Sequence, residues 1–247
     1  MKAVILAAGR GSRMRHLTDN RPKGLTPLHG VPLIERQCSA LREGGVSEVG
    51  IVTGYMADRF DGYADRYFHN QRWAETQMVA SLATAAEWLR EGPVIVSYSD
   101  IFYTAAAVRA LQRAQSDIAI TYDPDWERQW AGRFDDPLDD AETFRFQADN
   151  EDRHILTEIG NKPRTLAEVQ GQYMGLLRFT PPGWAAIERA RARLAAGERD
   201  ALSMTALLGL LIAQGERIEA VSTFDPWGEI DSVEDLEFFE RSAPPDV

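Results

Sequence analysis

Apolar residues along this chain recur with two periods, and the two alternate. Continuous apolar, β-branched runs at Lys2–Ala8, Glu48–Gly54, Pro93–Tyr98 and Asp117–Tyr122 predict buried strands, with a shorter one at Arg66–His69. Between them the spacing predicts helices over Pro32–Gly44, Gln77–Leu89 and Ala105–Ala114. In the first helix Leu33, Ile34, Cys38 and Leu41 fall on one side, and Gly44-Gly45 is the stop signal. Strand–helix alternation of this kind predicts an α/β fold, a Rossmann-like mixed, mostly parallel sheet with helices on both faces.

The second half changes character. Thr143–Gln147 and His154–Glu158 read as a hairpin around Asp149-Asn150, followed by a strand over Gln172–Phe179 and a late one over Glu219–Phe224. Helices are predicted over Pro182–Ala196, opened by proline, over Ser203–Gln214 with Ser203 as N-cap, and over Val233–Arg241. No repeat, low-complexity tract or linker interrupts the chain, so residues 1–247 are expected to form one domain of two successive halves, about 1–122 and 123–247. Ligands of open α/β sheets sit beyond the carboxyl ends of the strands, so the residues after Ala8, Tyr98 and Phe224 are expected to converge.

Charge narrows the function classes. With 38 acidic against 27 basic residues the net charge is −11, spread along the chain, which argues against nucleic acid as a partner. A nucleotide is not excluded, because a few local cations suffice to hold it. The single Cys38 cannot form an internal disulfide and is expected in the core of a helix packing. The four histidines are scattered without metal-ligand spacing. No apolar run is long enough to span a membrane, and Met-Lys leads directly into a strand, so a soluble, cytoplasmic protein is expected.

The densest chemistry lies at Val4-Ile5-Leu6-Ala7-Ala8-Gly9-Arg10-Gly11-Ser12-Arg13-Met14, with Arg21-Pro22-Lys23 close behind. Small residues let backbone N–H groups approach a ligand, and the fixed cations then hold its negative charge, which suits a polyphosphate. Met14 stands where a dinucleotide fingerprint needs glycine, and no P-loop signature occurs. The stretches LAAGRGSRM, RPKGL and PLHGVPLIERQ resemble the opening of the nucleotidyltransferases that make activated sugars and activated small phosphates. The resemblance implies that the loop Gly9-Arg10-Gly11-Ser12 wraps a nucleoside triphosphate and that Arg13 and Lys23 hold phosphates.

Two carboxylates follow strands far apart in the chain, Asp100 after Val94–Tyr98 and Asp231 in Trp227-Gly228-Glu229-Ile230-Asp231. Brought together they would form a hard oxygen site suited to Mg²⁺. Each is equally an N-cap candidate, since a helix follows both. The same resemblance implies that Asp100 and Asp231 are the metal ligands, with Asp100 also catalytic and Glu229 an alternative ligand or a partner that positions one.

Glu75-Thr76-Gln77-Met78-Val79 is similar to a stretch of the branch that uses CTP to activate phosphocholine and related small phosphates, with Gln77 where asparagine is usual. It implies a base site of Leu6, Ala7, Ala8, Thr76 and Gln77, with Tyr98 and Ser99 nearby. Residues 98–175, including the RFDDPLDDAET and GQYMG runs, resemble cytidylyltransferases of capsule modification, among them the type acting on phosphoglutamine. For the acceptor phosphate Arg133 and Lys162 are the candidate cations. Glu142, Glu158 and Gln172, with Asp139 and Asp140, are candidates for an amine or amide, and Trp126 and Trp130 for a cationic head group. The expectation is transfer of CMP from CTP, or of the nucleotide of another NTP, to a small phosphorylated acceptor, with Mg²⁺ as cofactor. The alternatives are a sugar-1-phosphate nucleotidyltransferase using UTP, dTTP or GTP and a catalytically silent nucleotide-binding subunit. Against the second, Arg13, Lys23, Asp100 and Asp231 all stand intact. The first half would bind the nucleotide and the second the acceptor, and Leu207–Ile212 would supply a homodimer face.

Overall fold

The computed structural model describes residues 1–241. One nine-stranded sheet organises them. Its first half holds β1 (Lys2–Ala7), β4 (Glu48–Thr53), β5 (Arg66–His69) and β6 (Val94–Tyr98). Its second holds β8 (Ile118–Asp123), β9 (Phe144–Ala148), β10 (His154–Ile159), β11 (Gln172–Phe179) and β12 (Ile218–Ser222). Short pairs join β2 (Pro27–Leu28) to β3 (Val31–Pro32), and β7 (Ile101–Phe102) to β13 (Gly228–Glu229). The strand order is β5-β4-β1-β6-β11-β8-β12-β10-β9. Strands β11 and β10 run against the others, so the sheet is mixed and mostly parallel.

The continuous apolar runs have a direct physical cause, because both sheet faces are covered. In β1, Val4 and Leu6 point into one core and Ala3, Ile5 and Ala7 into the other. Val94 and Val96 of β6 and Ile118 and Ile120 of β8 join the first; Ile95 and Ala119 join the second. Helices α1 (Leu33–Glu43), α4 (Ala105–Gln112) and α5 (Trp126–Arg133) cover the second face. The first is covered by α2 (Met78–Leu82), α3 (Ala86–Glu91), α6 (Pro181–Ala192) and α8 (Met204–Ala213), with α7 (Ala196–Asp200) beside α2. The last helix, α9 (Val233–Glu240), packs through Phe239 on a third cluster with Met14, Leu28, Leu33, Phe102 and Ile230.

Two predicted helices are interrupted. The run 77–89 is α2, a 3₁₀ turn at Ala83–Ala85, then α3. Thr84 Oγ1 donates to the Ser81 carbonyl at 2.7 Å, the back-bonding that bends helices. The helix expected over 182–196 ends at Ala192, and Ala195 is extended (φ −61°, ψ 157°) before α7 starts. Ser203 does cap α8, accepting from Ala206 N. In the Leu207–Ile212 run, Leu207, Leu208 and Leu211 are fully buried in the chain's own core, which leaves the half-buried Leu210 and Ile212 as its outward apolar side chains. Cys38 is buried as expected. Among the described residues no helix is long and apolar enough to cross a membrane.

Candidate active site

β1 and β6 are parallel neighbours, so the loops after Ala8 and after Tyr98 leave the sheet at the same end. The loop from β1 turns at Gly11 (φ +69°) into a 3₁₀ segment over Ser12–Thr18, closed by Met14 N donating to Gly11 O at 3.0 Å. The N–H groups of Gly9, Arg10 and Gly11 meet no protein acceptor among the described residues, which leaves them for an anion. Arg10 pairs with Asp19 at 2.9 Å, above the Tyr55 ring.

Asp100 and Asp231 meet although 130 positions separate them. The β7–β13 pair sets Ile101 opposite Glu229 and Phe102 opposite Gly228, and Ile230 N donates to Asp100 O at 2.8 Å. Asp100, Glu229 and Asp231 thus each offer an oxygen within 4.8 Å of the others. Neither aspartate caps a helix: Thr104 precedes α4, and Ser232 caps α9. Lys23, whose side chain is only 8% exposed, donates Nζ to Asp100 Oδ2 at 2.6 Å and to Asp231 Oδ1. Arg13, 76% exposed, reaches Asp231 Oδ2.

The cluster is electrostatically short of positive charge. Three carboxylates face two cations, and Asp100 Oδ1 is buried without a hydrogen-bond partner. Desolvation first, then the Asp100 charge, pushes Glu229 up to about 7, against the pull of Lys23 and Arg133. An orphaned carboxylate oxygen amid three hard oxygen donors fits a divalent cation such as Mg²⁺. Asp100, Asp231 and Glu229 are the residues that would hold it.

Two cavities open at this end of the sheet. One, of about 140 Å³, is lined by Leu6, Ala8, Gly9, Trp73, Thr76, Gln77, Met78 and Ser81. Leu6, Ala8, Thr76, Gln77 and Met78 belong to the stretches expected at the base, and Gly9 to the loop expected at the triphosphate; Trp73 and Ser81 were not expected. Asn70 fixes the wall by donating to Thr76 Oγ1 and Ser81 Oγ, each at 2.9 Å. Ala7 turns its side chain into the second core, so only its backbone is left to form a ledge. Ser99 does not line this cavity either; its side chain packs on the Gly24 backbone.

The second cavity, of about 260 Å³, is lined by Arg13, Glu229 and Asp231 together with Tyr98, Asp140, Glu142, Gln172, Tyr173 and Thr205. A bulge in β11 between Tyr173 and Leu177, with Gly175 at φ +77°, makes room for the Tyr98 ring. Tyr98 and Tyr173 meet edge to face, and burial raises the pKa of both phenols. Desolvation, with Asp140 behind it, also raises Glu142, against a Thr205 hydrogen bond. Tyr173 lies in the GQYMG run but had no role assigned to it, and Thr205, on α8, carried no sequence signal.

Several acceptor candidates lie elsewhere. Arg133 is 1% exposed and donates Nε to Asp235 at 2.8 Å, so it cannot reach a phosphate in the cleft. Lys162 donates to the Leu138 and Asp139 carbonyls and ties down that turn. Glu158 faces Arg145 and Asn161 beyond the cleft. Asp139 also lies off the cavity lining. Trp126 and Trp130 are core residues, and the cation over Trp130 is the chain's own Arg133 at 4.7 Å.

A model of the MobA-like NTP transferase domain matches residues 3–203. The chain belongs to this family. It is similar along its whole length to the CTP:phosphoglutamine cytidylyltransferase of Campylobacter jejuni, 31% identical over 256 residues that cover 96% of this chain and 98% of that protein. The choline-phosphate cytidylyltransferase of Streptococcus pneumoniae is 37% identical over 106 residues, 41% of this chain and 46% of that protein. The solved inositol-1-phosphate CTP transferase of T. maritima shares the fold, with a TM-score of 0.74 at 18% identity over 97% of this chain and 95% of that one. The transferase domain is therefore a nucleotidyltransferase, and its sheet is that of the nucleotide-diphospho-sugar transferases.

Proposed function

We propose that the protein transfers CMP from CTP to a small phosphorylated acceptor and releases pyrophosphate, with Mg²⁺ as its cofactor. One observation carries the reading: Glu229 and Asp231 of the carboxylate cluster, with Arg13, line the same cavity as the acidic and amide side chains of Asp140, Glu142 and Gln172, while Lys23 bridges Asp100 to Asp231. The small cavity between Gly9 and Gln77 takes the base, and the free N–H groups of Gly9, Arg10 and Gly11 take the triphosphate. In this division residues 1–122 bind nucleotide, while 123–247 bind the acceptor and supply Asp231.

The acceptor phosphate has its second pKa near ~6 and is largely dianionic at neutral pH, so no general base is needed. One of its oxygens forms a bond to the α-phosphorus of CTP. The bond from that phosphorus to the bridging oxygen breaks, and pyrophosphate leaves. Lys23 and Arg13 exchange their carboxylate partners for phosphate oxygens, Lys23 at the reacting phosphates and Arg13 at the departing pyrophosphate. Asp100, Asp231 and Glu229 would hold a divalent cation, which would supply charge compensation for the reacting phosphates. Catalysis is then alignment and charge compensation.

Asp140, Glu142 and Gln172 suit an amide, amine or quaternary ammonium group on the acceptor, as phosphoglutamine, 2-aminoethylphosphonate and phosphocholine respectively provide. The test is pyrophosphate release with each of the four NTPs and dTTP against those three acceptors and hexose 1-phosphates. Turnover with CTP and one of those three acceptors is expected. Turnover confined to UTP, dTTP or GTP with a hexose 1-phosphate would replace the reading with sugar activation.

A further inference from the structure

The segment that delivers Glu229 and Asp231 is held at both ends by one helix. At the upstream end Gln129 of α5 donates Nε2 to the Trp227 carbonyl at 3.0 Å, and the Trp130 and Trp227 rings lie 6.1 Å apart. Asp123 grips the same tryptophan, accepting from its Nε1 at 2.8 Å. At the downstream end Arg133, one helical turn beyond Gln129, donates Nε to Asp235 Oδ1 at 2.8 Å. The other Asp235 oxygen accepts from Asp231 N at 3.1 Å, Ser232 N at 2.9 Å and Ser232 Oγ at 2.8 Å. A chain of direct contacts therefore runs from Arg133 through Asp235 to the backbone of Asp231.

We propose that the Arg133–Asp235 pair is a positioning pair for the cation site: it fixes the backbone of Asp231 so that its carboxylate converges with Asp100 and Glu229. The pair is fully enclosed, with side chains 1% and 7% exposed, and Trp130 lies under the guanidinium. A surface pair would serve poorly, since exposed ion pairs hold little geometry, whereas a buried one with one carboxylate oxygen on Arg133 and the other on three donors has a single arrangement. Gly132 contributes by its size: a Cβ there would stand 2.7 Å from the Phe238 ring, so α9 approaches α5 closely enough for the pair to form. The inference rests on the carboxylate cluster being a cation site.

The experiment is direct Mn²⁺ binding to the full chain without nucleotide or acceptor, read from loss of the free-ion electron paramagnetic resonance signal. Wild type is compared with Arg133→Met and Asp235→Asn, and thermal unfolding is followed alongside. Asparagine keeps an oxygen for the Asp231 and Ser232 N–H groups but loses the charge that holds Arg133. Both variants are expected to fold and to bind Mn²⁺ at least about tenfold more weakly, the scale seen when partners that orient metal ligands are removed. Folded variants with wild-type Mn²⁺ affinity, however much their melting temperatures drop, would reduce the pair to a structural contact and overturn the proposal. Loss of folding in both would overturn it too, because a positioning role needs a fold that outlives the pair. Failure of wild type itself to bind Mn²⁺ would instead strike the cation-site reading, and the proposal with it.

Discussion

The stem of Lys23 lies over the α-carbon of Gly11: a Cβ on Gly11 would stand 2.7 Å from both Cβ and Cδ of the lysine. Gly11 is also left-handed, at φ +69°. The glycine therefore answers to two demands, a backbone turn and the passage of the one cation that holds both Asp100 and Asp231. Gly11→Ala is expected to lose ~1–2 kcal/mol of stability in urea titrations, the usual penalty for a side chain in that conformation. The displaced lysine adds a larger effect on turnover, about tenfold or more at a temperature where the variant is still folded.

Lys23 itself separates two roles. Its ammonium group now occupies the carboxylates that would hold a cation, so Lys23→Met is expected to bind Mn²⁺ more tightly than wild type in metal titrations. The same variant loses a charge aimed at the reacting phosphates, and kcat is expected to drop by roughly 10²–10³, with the nucleotide KM little changed. Weaker metal binding in Lys23→Met would contradict this arrangement.

Glu229 predicts an inverted pH dependence. Its pKa in the metal-free fold is pushed up to about 7, above the ordinary glutamate value of an unfolded chain. Between the two values the native state binds more protons than the unfolded one, so this group's contribution to stability is full below the unfolded pKa and is lost as pH rises toward 7. Melting temperatures in EDTA between pH 5 and 8 are expected to show this slope in wild type and a flatter one in Glu229→Gln. Added Mg²⁺ is expected to stabilise more as pH rises, because its ligands must be deprotonated.

Gln77 lines the small cavity, and its side chain makes no hydrogen bond among the described residues. Gln77→Ala is therefore expected to leave the melting temperature within about 1 °C and to act on nucleotide binding alone. The nucleotide KM should rise about three- to tenfold, the loss of one hydrogen bond, with the acceptor KM unmoved. An equal rise in both would place Gln77 outside the base site.

The first half of the chain was legible because its strands are covered on both faces and read as unbroken apolar runs. The carboxylate cluster was legible from the strand-end rule, which brings the residues after Tyr98 and Phe224 together, and from the resemblance, not from local spacing. No local pattern links Asp100 to Asp231, and the pairing of β7 with β13 that joins them involves strands of two residues each. Arg133 read as a cation for the acceptor phosphate for the same reason: its partner Asp235 lies 102 positions away, and burial by Trp130 and α9 leaves no trace in the spacing. The interruption of the 77–89 helix at Thr84 was hidden because neither glycine nor proline marks it.

A divalent cation proposed between Asp100 and Asp231, beside the triphosphate, would be visible in anomalous diffraction from crystals grown with CTP and Mn²⁺. A single strong anomalous peak is expected within coordination distance of both carboxylates and of the α-phosphate, with Lys23 and Arg13 turned to phosphate oxygens. A nucleotide bound between Gly9 and Gln77 with no peak at Asp100 and Asp231, or a peak at another site, would contradict it.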